Sequence, residues 1–501
     1  MRKIISIIGI CLLLSSHFDM FAQQTSAGKC FFVDYQTWCD QNYPSIYINC
    51  GDNPAFNLGS TFTMEVWLRA YTFGENRKVF GKMSDEFNNG FVMGFENLQP
   101  YSQVFNPSNQ EVPRTGVGNI PADSVWIHFA TTFNANGQLI NYVNGVNVGE
   151  ITIFPQSAMV SNNRPFVIGL APWDLYSFEF TGGIDEVRIW NVEKSAQDIR
   201  KAMFHQLTGS ELNLVAYYNF NNDIDSVVHD GSQNAINGIL QKSTNPAFSW
   251  AVSDAPIGNL TMAKMSDIQA SWFGKNADQF TYAITQNGLS LITNIGRKQF
   301  WKYVVFGHNN ASGKTSQNAP TNAPGDFERL SREWYVNQTG DVASQVVFNL
   351  QDAAAGGSML NVGAPDSLYV LLVRNDTTEN FTPLFTASQV MGNTVLFNNI
   401  FLKDKYYTLG YSSVRLAETT SIENLEKNSV KVFPNPATNV LYVESRFASI
   451  LSIYDISGRL VLKEKISGGS EMIDVSALNR GVYVVRLEAN NEIETLKLII
   501  K

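Results

Sequence analysis

The sequence predicts an all-β protein built from several sandwich domains. Aromatic residues are plentiful, with 33 Phe, 19 Tyr and 9 Trp in 501 residues, and 36 glycines are available for turns. Charged residues make up 16% of the chain, below the ~25% that is usual in globular proteins. Many segments alternate apolar and polar residues, as half-buried strands do. Short strands joined by Gly, Asn and Asp turns account for this balance, whereas long amphipathic helices would not.

The strongest strand pattern is Gly-Gly-Ile-Asp-Glu-Val-Arg-Ile-Trp at 182–190. Two glycines at its start predict a tight turn or a bulge. Period-two alternation divides the side chains between two faces, with Ile184, Glu186, Arg188 and Trp190 on one and Asp185, Val187 and Ile189 on the other. Ser195 followed by Asp198 predicts an N-cap and a capping box, so a short helix begins there. The apolar, aromatic segment 214–220 predicts a buried strand.

This order of strand, short capped helix and strand resembles the laminin-G-like, concanavalin A-like jelly-roll family. Members carry a G-x-I-D-E-V-R-I-W-N stretch and an L-V-A-Y-W-x-F-like strand, and the segments 61–69 and 126–130 resemble two further strands of the family. Independently, Asn144-Gly145 between two apolar runs predicts a β-hairpin with a type I′ turn. The resemblance implies a jelly-roll sandwich over residues 28–252.

The N-terminus predicts a secretory signal peptide over residues 1–22. Arg2 and Lys3 precede an apolar run over 4–14, and Ala22 offers a small residue at a cleavage point before Gln23. The run is too short to span a bilayer. No other stretch approaches 18 apolar residues, so we expect an exported mature chain without a transmembrane segment.

Two more domains are expected after the jelly roll. Regular strand spacing over 260–415 predicts a second β-sandwich of unassigned role, and residues 416–428 have the composition of a linker. Alternation and the Ser457-Gly458 turn predict a small antiparallel β-sandwich over 429–501.

The sequence of this last segment, from Val-Phe-Pro-Asn-Pro at 432–436 onward, resembles the type A C-terminal sorting domain of the type IX secretion system. The resemblance implies a Bacteroidetes source and recognition by the type IX secretion machinery of the outer membrane. It also implies a cell-surface or secreted destination, with release or attachment at the outer-membrane surface.

The net charge indicates which partners are unfavourable, and the cysteine content indicates which disulfides could form. A net charge of -9 makes a nucleic-acid or anionic-membrane partner unfavourable. Removal of the signal peptide leaves Cys30, Cys39 and Cys50. One pair could form a disulfide in an oxidising compartment, and the sequence does not decide which pair.

Asp185 and Glu186 invite comparison with a glycosidase. Retaining glycosidases need two carboxyl groups about 5 Å apart on one face. Adjacent strand residues are expected to point to opposite faces, and the strand carries no other acid at a suitable spacing. The pattern therefore favours a non-enzymatic protein.

Calcium is the cofactor that the family resemblance implies. Its ligands would be Asp185, Asp52 and backbone carbonyl groups of Gly-rich turns, and such oxygen ligands suit calcium. The alternative is that both aspartates only stabilise turns. Trp173 and Tyr176 lie in a Pro-containing segment and form a candidate ligand patch. The alternative, which is the commoner role for such aromatic residues, is that they line the edge of the sandwich.

The sequence therefore predicts an exported, adhesin-like binding protein that recognises a glycan or a protein through its jelly-roll domain. Two alternatives stay open: a polysaccharide-processing enzyme or its accessory subunit, and a structural component of the surface or of the motility apparatus.

Overall fold

The protein forms two compact units, Met1–Glu418 and Thr419–Lys501, in a computed structural model. The structure describes residues 27–33, 46–70, 77–83, 89–96, 99–105, 125–152, 162–170, 180–223, 225–241, 249–272, 281–294, 302–339, 342–416, 431–445, 449–455, 458–466, 469–489 and 492–501. The predicted signal peptide, residues 417–428 of the predicted linker and Cys39 lie outside these residues.

The first unit begins with an antiparallel sandwich, here called the first sandwich. Its strands are β1 (Lys29–Val33), β2 (Tyr47–Asn49), β3 (Phe62–Ala70), β4 (Arg77–Met83), β5 (Gly90–Glu96), β6 (Gln99–Phe105), β7 (Ile127–Phe133), β8 (Gln138–Val143), β9 (Val146–Thr152), β10 (Val167–Ile168), β11 (Gly182–Trp190), β12 (Leu214–Tyr218), β13 (Val227–Val228), β14 (Gly238–Gln241) and β15 (Trp250–Val252). Sheet A has the order β15-β1-β11-β3-β7-β8-β9, with β12 also pairing β11, and sheet B has the order β13-β14-β2-β10-β4-β5-β6.

The inner faces of sheets A and B form one apolar core. Phe62 of sheet A lies 6.2 Å from Phe91 of sheet B, ring centre to ring centre, and Phe129 lies 6.4 Å from Phe95. Their burial removes large aromatic surfaces from water, which is the main term that holds two such sheets together. The predicted all-β jelly-roll architecture is confirmed.

Two local predictions in the first sandwich are also confirmed. Asn144 and Gly145 have φ values of 50° and 73° and connect β8 to β9, as a type I′ hairpin requires. Helix α1 (Ala196–Ala202) starts at Ser195, whose side chain accepts a hydrogen bond from the Asp198 backbone N–H in a capping box.

The predicted alternation along β11 is wrong. The pairing of β11 with β3 shifts register between Asp185 and Arg188, and Glu186 has a φ of 53°, so the strand contains a β-bulge. The extra residue reverses the alternation. Consequently Ile184 lies in the same inner core as Val187 and Ile189 rather than on the opposite face.

A second sandwich follows within the same unit. Its strands are β16 (Ser266–Trp272), β17 (Thr281–Gln286), β18 (Leu289–Asn294), β19 (Tyr303–His308), β20 (Lys314–Thr315), β21 (Glu328–Leu330), β22 (Trp334–Thr339), β23 (Ala343–Asn349), β24 (Tyr369–Arg374), β25 (Thr382–Thr386), β26 (Gln389–Met391), β27 (Thr394–Phe401) and β28 (Tyr406–Tyr411), and helix α2 is Leu350–Ala354. Sheet C contains β16-β19-β22-β28-β21-β20 with β24 and β25, and sheet D contains β17-β18-β23-β27-β26. Trp334 of sheet C packs 5.6 Å from Phe348 of sheet D.

The C-terminal unit is the predicted small sandwich. Its strands are β29 (Lys431–Phe433), β30 (Val440–Ser445), β31 (Ser449–Asp455), β32 (Leu460–Ile466), β33 (Gly469–Asp474), β34 (Gly481–Ala489) and β35 (Glu492–Ile500). Sheet E has the order β29-β30-β33, and sheet F the order β32-β31-β34-β35. Among the residues that the structure describes, three short 3-10 helices span Pro54–Phe56, Met262–Lys264 and Asp366–Leu368. Among the described residues, no helix is both long enough and apolar enough to cross a membrane.

The first and second sandwiches share a buried apolar contact, here called the inter-sandwich core. Trp272 of β16 packs against Trp67 of β3 at 5.6 Å and against Phe204 at 5.8 Å. Its indole N–H donates to the Trp126 carbonyl at 2.9 Å. The core also contains Cys30, Met203, Ala255, Ile257, Met262, Ile268, Tyr303, Val305, Tyr335 and Tyr406. The outer face of sheet A around Cys30, Trp67 and Trp126 is therefore an internal surface of the unit.

This contact predicts that the two sandwiches stabilise each other. We expect Trp272→Ala to reduce the free energy of unfolding of the first unit by about 3–5 kcal/mol, because it leaves a large cavity and removes a buried hydrogen bond. Differential scanning calorimetry on the mature chain measures this loss. Leu260→Ala, at a side chain that is 51% exposed, is the control and should change the stability little. A comparable small effect for both variants would contradict the inference.

Candidate functional site

Asp185 is fully buried on the outer side of sheet A. Its Oδ1 accepts a hydrogen bond from the Glu186 backbone N–H at 2.7 Å, and its Oδ2 accepts one from the Ser253 hydroxyl at 2.5 Å. Burial raises the pKa of Asp185 well above its usual range, and the neighbouring Glu186 carboxyl raises it further. This carboxyl group is thus engaged on both oxygens and favours its protonated form.

Glu186, the bulge residue, lies on the same side. Its Oε1 accepts a hydrogen bond from the Tyr217 hydroxyl at 2.7 Å, and its Oε2 accepts one from Arg188 Nε at 3.1 Å. Arg188 Nη2 bonds the same oxygen and also donates to the His205 carbonyl at 2.7 Å. Burial raises the pKa of Glu186, although Arg188 opposes that rise. The guanidinium is fully buried, so these acceptors are what makes its burial tolerable.

A second acid faces Arg188 from the adjacent strand. Glu65 of β3 is fully buried, and its Oε2 lies 3.4 Å from His128 Nε2 of β7. Burial alone would raise the pKa of Glu65, but His128 and Arg188 lower it below the usual value. Burial lowers the pKa of His128. We call Glu65, His128, Asp185, Glu186 and Arg188 the buried charge cluster.

The cluster corrects the expectation that Asp185 and Glu186 point to opposite faces. The bulge brings both carboxyl groups to the outer side of sheet A, where each raises the free energy of ionising the other. They are 0% and 1% exposed and are held by Ser253, Tyr217 and Arg188. A glycosidase needs its acids at a surface that a sugar can reach, and this pair does not meet that requirement.

Asp52 lies elsewhere, in the loop after β2 of sheet B. Its Oδ1 accepts from the Lys82 ammonium at 2.6 Å, and Lys82 also donates to the carbonyl groups of Asn162, at 3.1 Å, and Arg164. The Lys82 side chain is 1% exposed, whereas that of Asp52 is 42% exposed. A buried ammonium therefore sits among one carboxylate and two carbonyl oxygens, which is the kind of ligand set that was expected for calcium.

The structure does not bring the two predicted metal ligands together. Both carboxyl oxygens of Asp185 already accept hydrogen bonds, one from the Ser253 hydroxyl and one from the backbone. The carboxylate of Asp52 forms an ion pair with Lys82. Within the residues that the structure describes, no group of three or more His, Cys, Asp or Glu side chains could hold a metal ion. The residues present do not fit a shared calcium site, and calcium binding stays a prediction.

The other predicted site residues are only partly placed. Trp173 and Tyr176 lie outside the described residues. Cys30 and Cys50 are buried free thiols that belong to different apolar clusters, the inter-sandwich core and the inner core of the first sandwich. Burial raises the pKa of the Cys50 thiol to about 12, so this thiol is not activated as a nucleophile.

Sequence reasoning missed Lys82, Glu65 and Arg188 as partners in buried networks. One available signal was the presence of charged side chains inside otherwise apolar strands, as in Met-Glu-Val-Trp at 64–67. A charge at such a position must be paired once a second layer covers it.

Comparison with known families assigns all three regions. Residues 41–200 match the concanavalin A-like lectin/glucanases superfamily, and residues 431–501 match the secretion system C-terminal sorting domain. The jelly-roll and sorting-domain resemblances are confirmed. Residues 263–406 match a domain of unknown function. The sorting domain indicates export to the cell surface or the exterior, with handling by the type IX secretion machinery.

Solved structures with similarity to the chain include a putative carbohydrate binding protein from Bacteroides ovatus, with 21% identity over 46% of this chain and 61% of that one and a TM-score of 0.36. The SAP-like pentraxin of Limulus polyphemus is 12% identical over 34% of this chain and 80% of that one, with a TM-score of 0.27. The CBM40 of the Ruminococcus gnavus IT-sialidase, bound to α2,3 sialyllactose, is 10% identical over 35% of this chain and 97% of that one, with a TM-score of 0.28. The chain thus spans 61% of the length of the Bacteroides ovatus protein. No curated protein shows significant similarity to it.

The raised pKa of Asp185 predicts a specific pH dependence. The folded state binds this proton more tightly than the unfolded state, so the resulting stabilisation is complete below the unfolded pKa of about 4 and is lost as pH rises through the folded pKa. We expect Asp185→Asn to gain stability relative to the wild type as pH rises from about 4, by up to about 1.4 kcal/mol per pH unit. Urea unfolding across this range measures the gain. Asp225→Asn, at an exposed carboxyl group, is the matched control. A pH-independent difference between wild type and Asp185→Asn would refute the argument.

The calcium prediction is tested by thermal unfolding of the mature chain with calcium and with EDTA. A bound ion would raise Tm, corresponding to about 2.7 kcal/mol at a hundredfold excess over Kd. Because Asp185 and Asp52 lie apart and the carboxyl group of each already has partners, we expect the same Tm in calcium and in EDTA. A rise in Tm that Asp52→Asn and Asp185→Asn each abolish, and that Asp225→Asn retains, would contradict this expectation and support the shared calcium site.

Proposed function

We propose that this protein is an exported, non-enzymatic binding protein that recognises a glycan through its first sandwich at the cell surface. The observation that carries the proposal is the match of residues 41–200 to a lectin-containing superfamily in a chain that ends in a sorting domain. A sorting domain delivers cargo to the exterior, where glycans are the ligands that lectin-like sandwiches meet.

The burial of the acids on β11 supports binding rather than hydrolysis. The carboxyl groups of Asp185 and Glu186 are buried beneath the second sandwich and α1, where they accept hydrogen bonds that have a structural role. The inter-sandwich core covers the outer face of sheet A around Cys30, Trp67 and Trp126, so we expect a ligand of the first sandwich to approach from another side. This reasoning favours the loops as the recognition surface.

Trp173 and Tyr176 are the residues that we propose for that surface. They lie between two described residues, Gly169 and Phe180. The Phe180 N–H donates to the Gly169 carbonyl at 3.0 Å, and the Gly169 N–H donates to the Val79 carbonyl at 2.6 Å. These flanking residues are therefore tied to each other and to β4. Trp and Tyr side chains offer aromatic faces on which the C–H face of a sugar can pack.

Substitution of the loop aromatics tests the proposal. We expect the mature chain to bind glycans on an array that includes neutral and sialylated sugars. Trp173→Ala and Tyr176→Ala should each weaken binding by about tenfold or more, because aromatic anchors dominate such interfaces. Leu212→Ala, at a side chain that is 86% exposed, should leave binding unchanged.

Three outcomes would redirect the assignment. Cleavage of an array sugar would favour the polysaccharide-processing alternative. Absence of sugar binding together with capture of a purified surface protein would favour protein adhesion. Absence of both would favour a structural surface or motility component.

A further inference from the structure

An open depression lies at one end of the second sandwich. It has a volume of about 710 Å³ and lies between the β17–β18 turn, at Asn287 and Gly288, and the α2 region from Gln351 to Met359. That volume lies within the range of about 300–1,000 Å³ that is typical of ligand sites. This region matches only a domain of unknown function, and the depression is separate from the first-sandwich loops discussed above.

The wall formed by the β17–β18 turn is held rigidly. Arg332 donates to the Asn287 carbonyl at 3.0 Å, and Asn287 Nδ2 lies 2.6 Å from Asp267 Oδ2 and 2.9 Å from His308 Nε2. Asn287 and Gly288 have φ values of 43° and 98°, the positive angles that an Asn-Gly hairpin turn favours. The amide at this position is therefore fixed before any ligand arrives.

The opposite wall is held just as firmly. Asn349 caps α2 by accepting from the backbone N–H groups of Gln351 and Asp352, and its own N–H donates to the Gly288 carbonyl at 2.8 Å. A Cβ on Gly288 would lie 2.2 Å from the Ala353 nitrogen, so the turn and the helix are in direct backbone contact. Both walls consequently form one rigid frame, which lowers the entropy cost of binding.

The side chains that line the depression favour one class of ligand. Gln351 offers an amide that donates and accepts hydrogen bonds, and Asp352 offers an acceptor. Asn287 offers its Oδ1 as a further acceptor, because its Nδ2 already contacts Asp267 and His308. Met359, which is 40% exposed, adds one polarizable apolar surface. None of the described residues that line the depression is basic, and Asp352 repels anions. A ligand with many hydroxyl groups, an apolar C–H face and no negative charge satisfies all of these groups.

We propose that the depression between the β17–β18 turn and α2 binds a short neutral oligosaccharide. The second sandwich then contributes a glycan site of its own, independent of the loop with Trp173 and Tyr176. Gln351 and Asp352 supply the side-chain hydrogen bonds from α2, Asn287 supplies those from the turn, and Met359 contacts the apolar face of the sugar.

Isothermal titration of the mature chain tests this proposal, with maltotriose, cellotriose, laminaritriose and N-acetylchitotriose as probes and sialyllactose as the anionic comparison. We expect at least one neutral trisaccharide to bind, and Gln351→Ala and Asp352→Ala each to weaken its affinity by about tenfold. Asp352→Asn, which keeps an acceptor oxygen, should lose less. All three changes are at exposed side chains, so an unchanged Tm confirms that the variants are folded.

Two controls separate this site from the first sandwich. Gln389→Ala, at an exposed position of the same sandwich outside the depression, should bind as the wild type does. The Trp173→Ala/Tyr176→Ala double variant should also retain this binding, even where it abolishes binding to the first sandwich. The proposal is overturned if none of the neutral probes binds, if sialyllactose alone binds, or if Gln351→Ala and Asp352→Ala bind as tightly as the wild type.

Discussion

Arg188 imposes the constraint on which the first unit depends. A guanidinium that is 0% exposed requires acceptors for its donors and a compensating negative charge. Glu186 supplies the charge, and the carbonyl groups of Ala202 and His205 supply further acceptors. The bulge in β11 turns the Glu186 carboxylate toward Arg188. The irregular backbone is therefore needed to pair the buried charge.

The same guanidinium links the jelly roll to the domain that follows. Its bonds to Ala202 and His205 position the end of α1, and the adjacent Phe204 carbonyl accepts from the Gly258 N–H at 2.8 Å. Gly258 precedes the short 3-10 helix at Met262–Lys264, from which β16 begins. The chain thus passes from the buried charge cluster directly into the inter-sandwich core, where Trp67 and Trp272 pack together.

This arrangement determines which surfaces of the unit can meet a ligand. The outer face of sheet A carries several charged side chains. Where the inter-sandwich core and α1 cover this face, its acids have structural partners. We therefore propose that recognition takes place elsewhere, at Trp173 and Tyr176 and at the frame between Gly288 and α2.

Local patterns in the sequence determined the features that depend on neighbours along the chain. The period-two strands, the Asn144-Gly145 hairpin and the Ser195–Asp198 capping box each involve residues at most a few positions apart, so their physics is visible in the sequence. The two family resemblances also rest on motifs of contiguous residues. The tertiary structure alone decided the rest, because the partners are remote in sequence: Ser253 bonds Asp185 across 68 residues, and Trp272 bonds Trp126 across 146. Alternation also failed at Glu186, since a single residue with positive φ exchanges the faces of every residue after it, and only the pairing with β3 reveals where that residue lies.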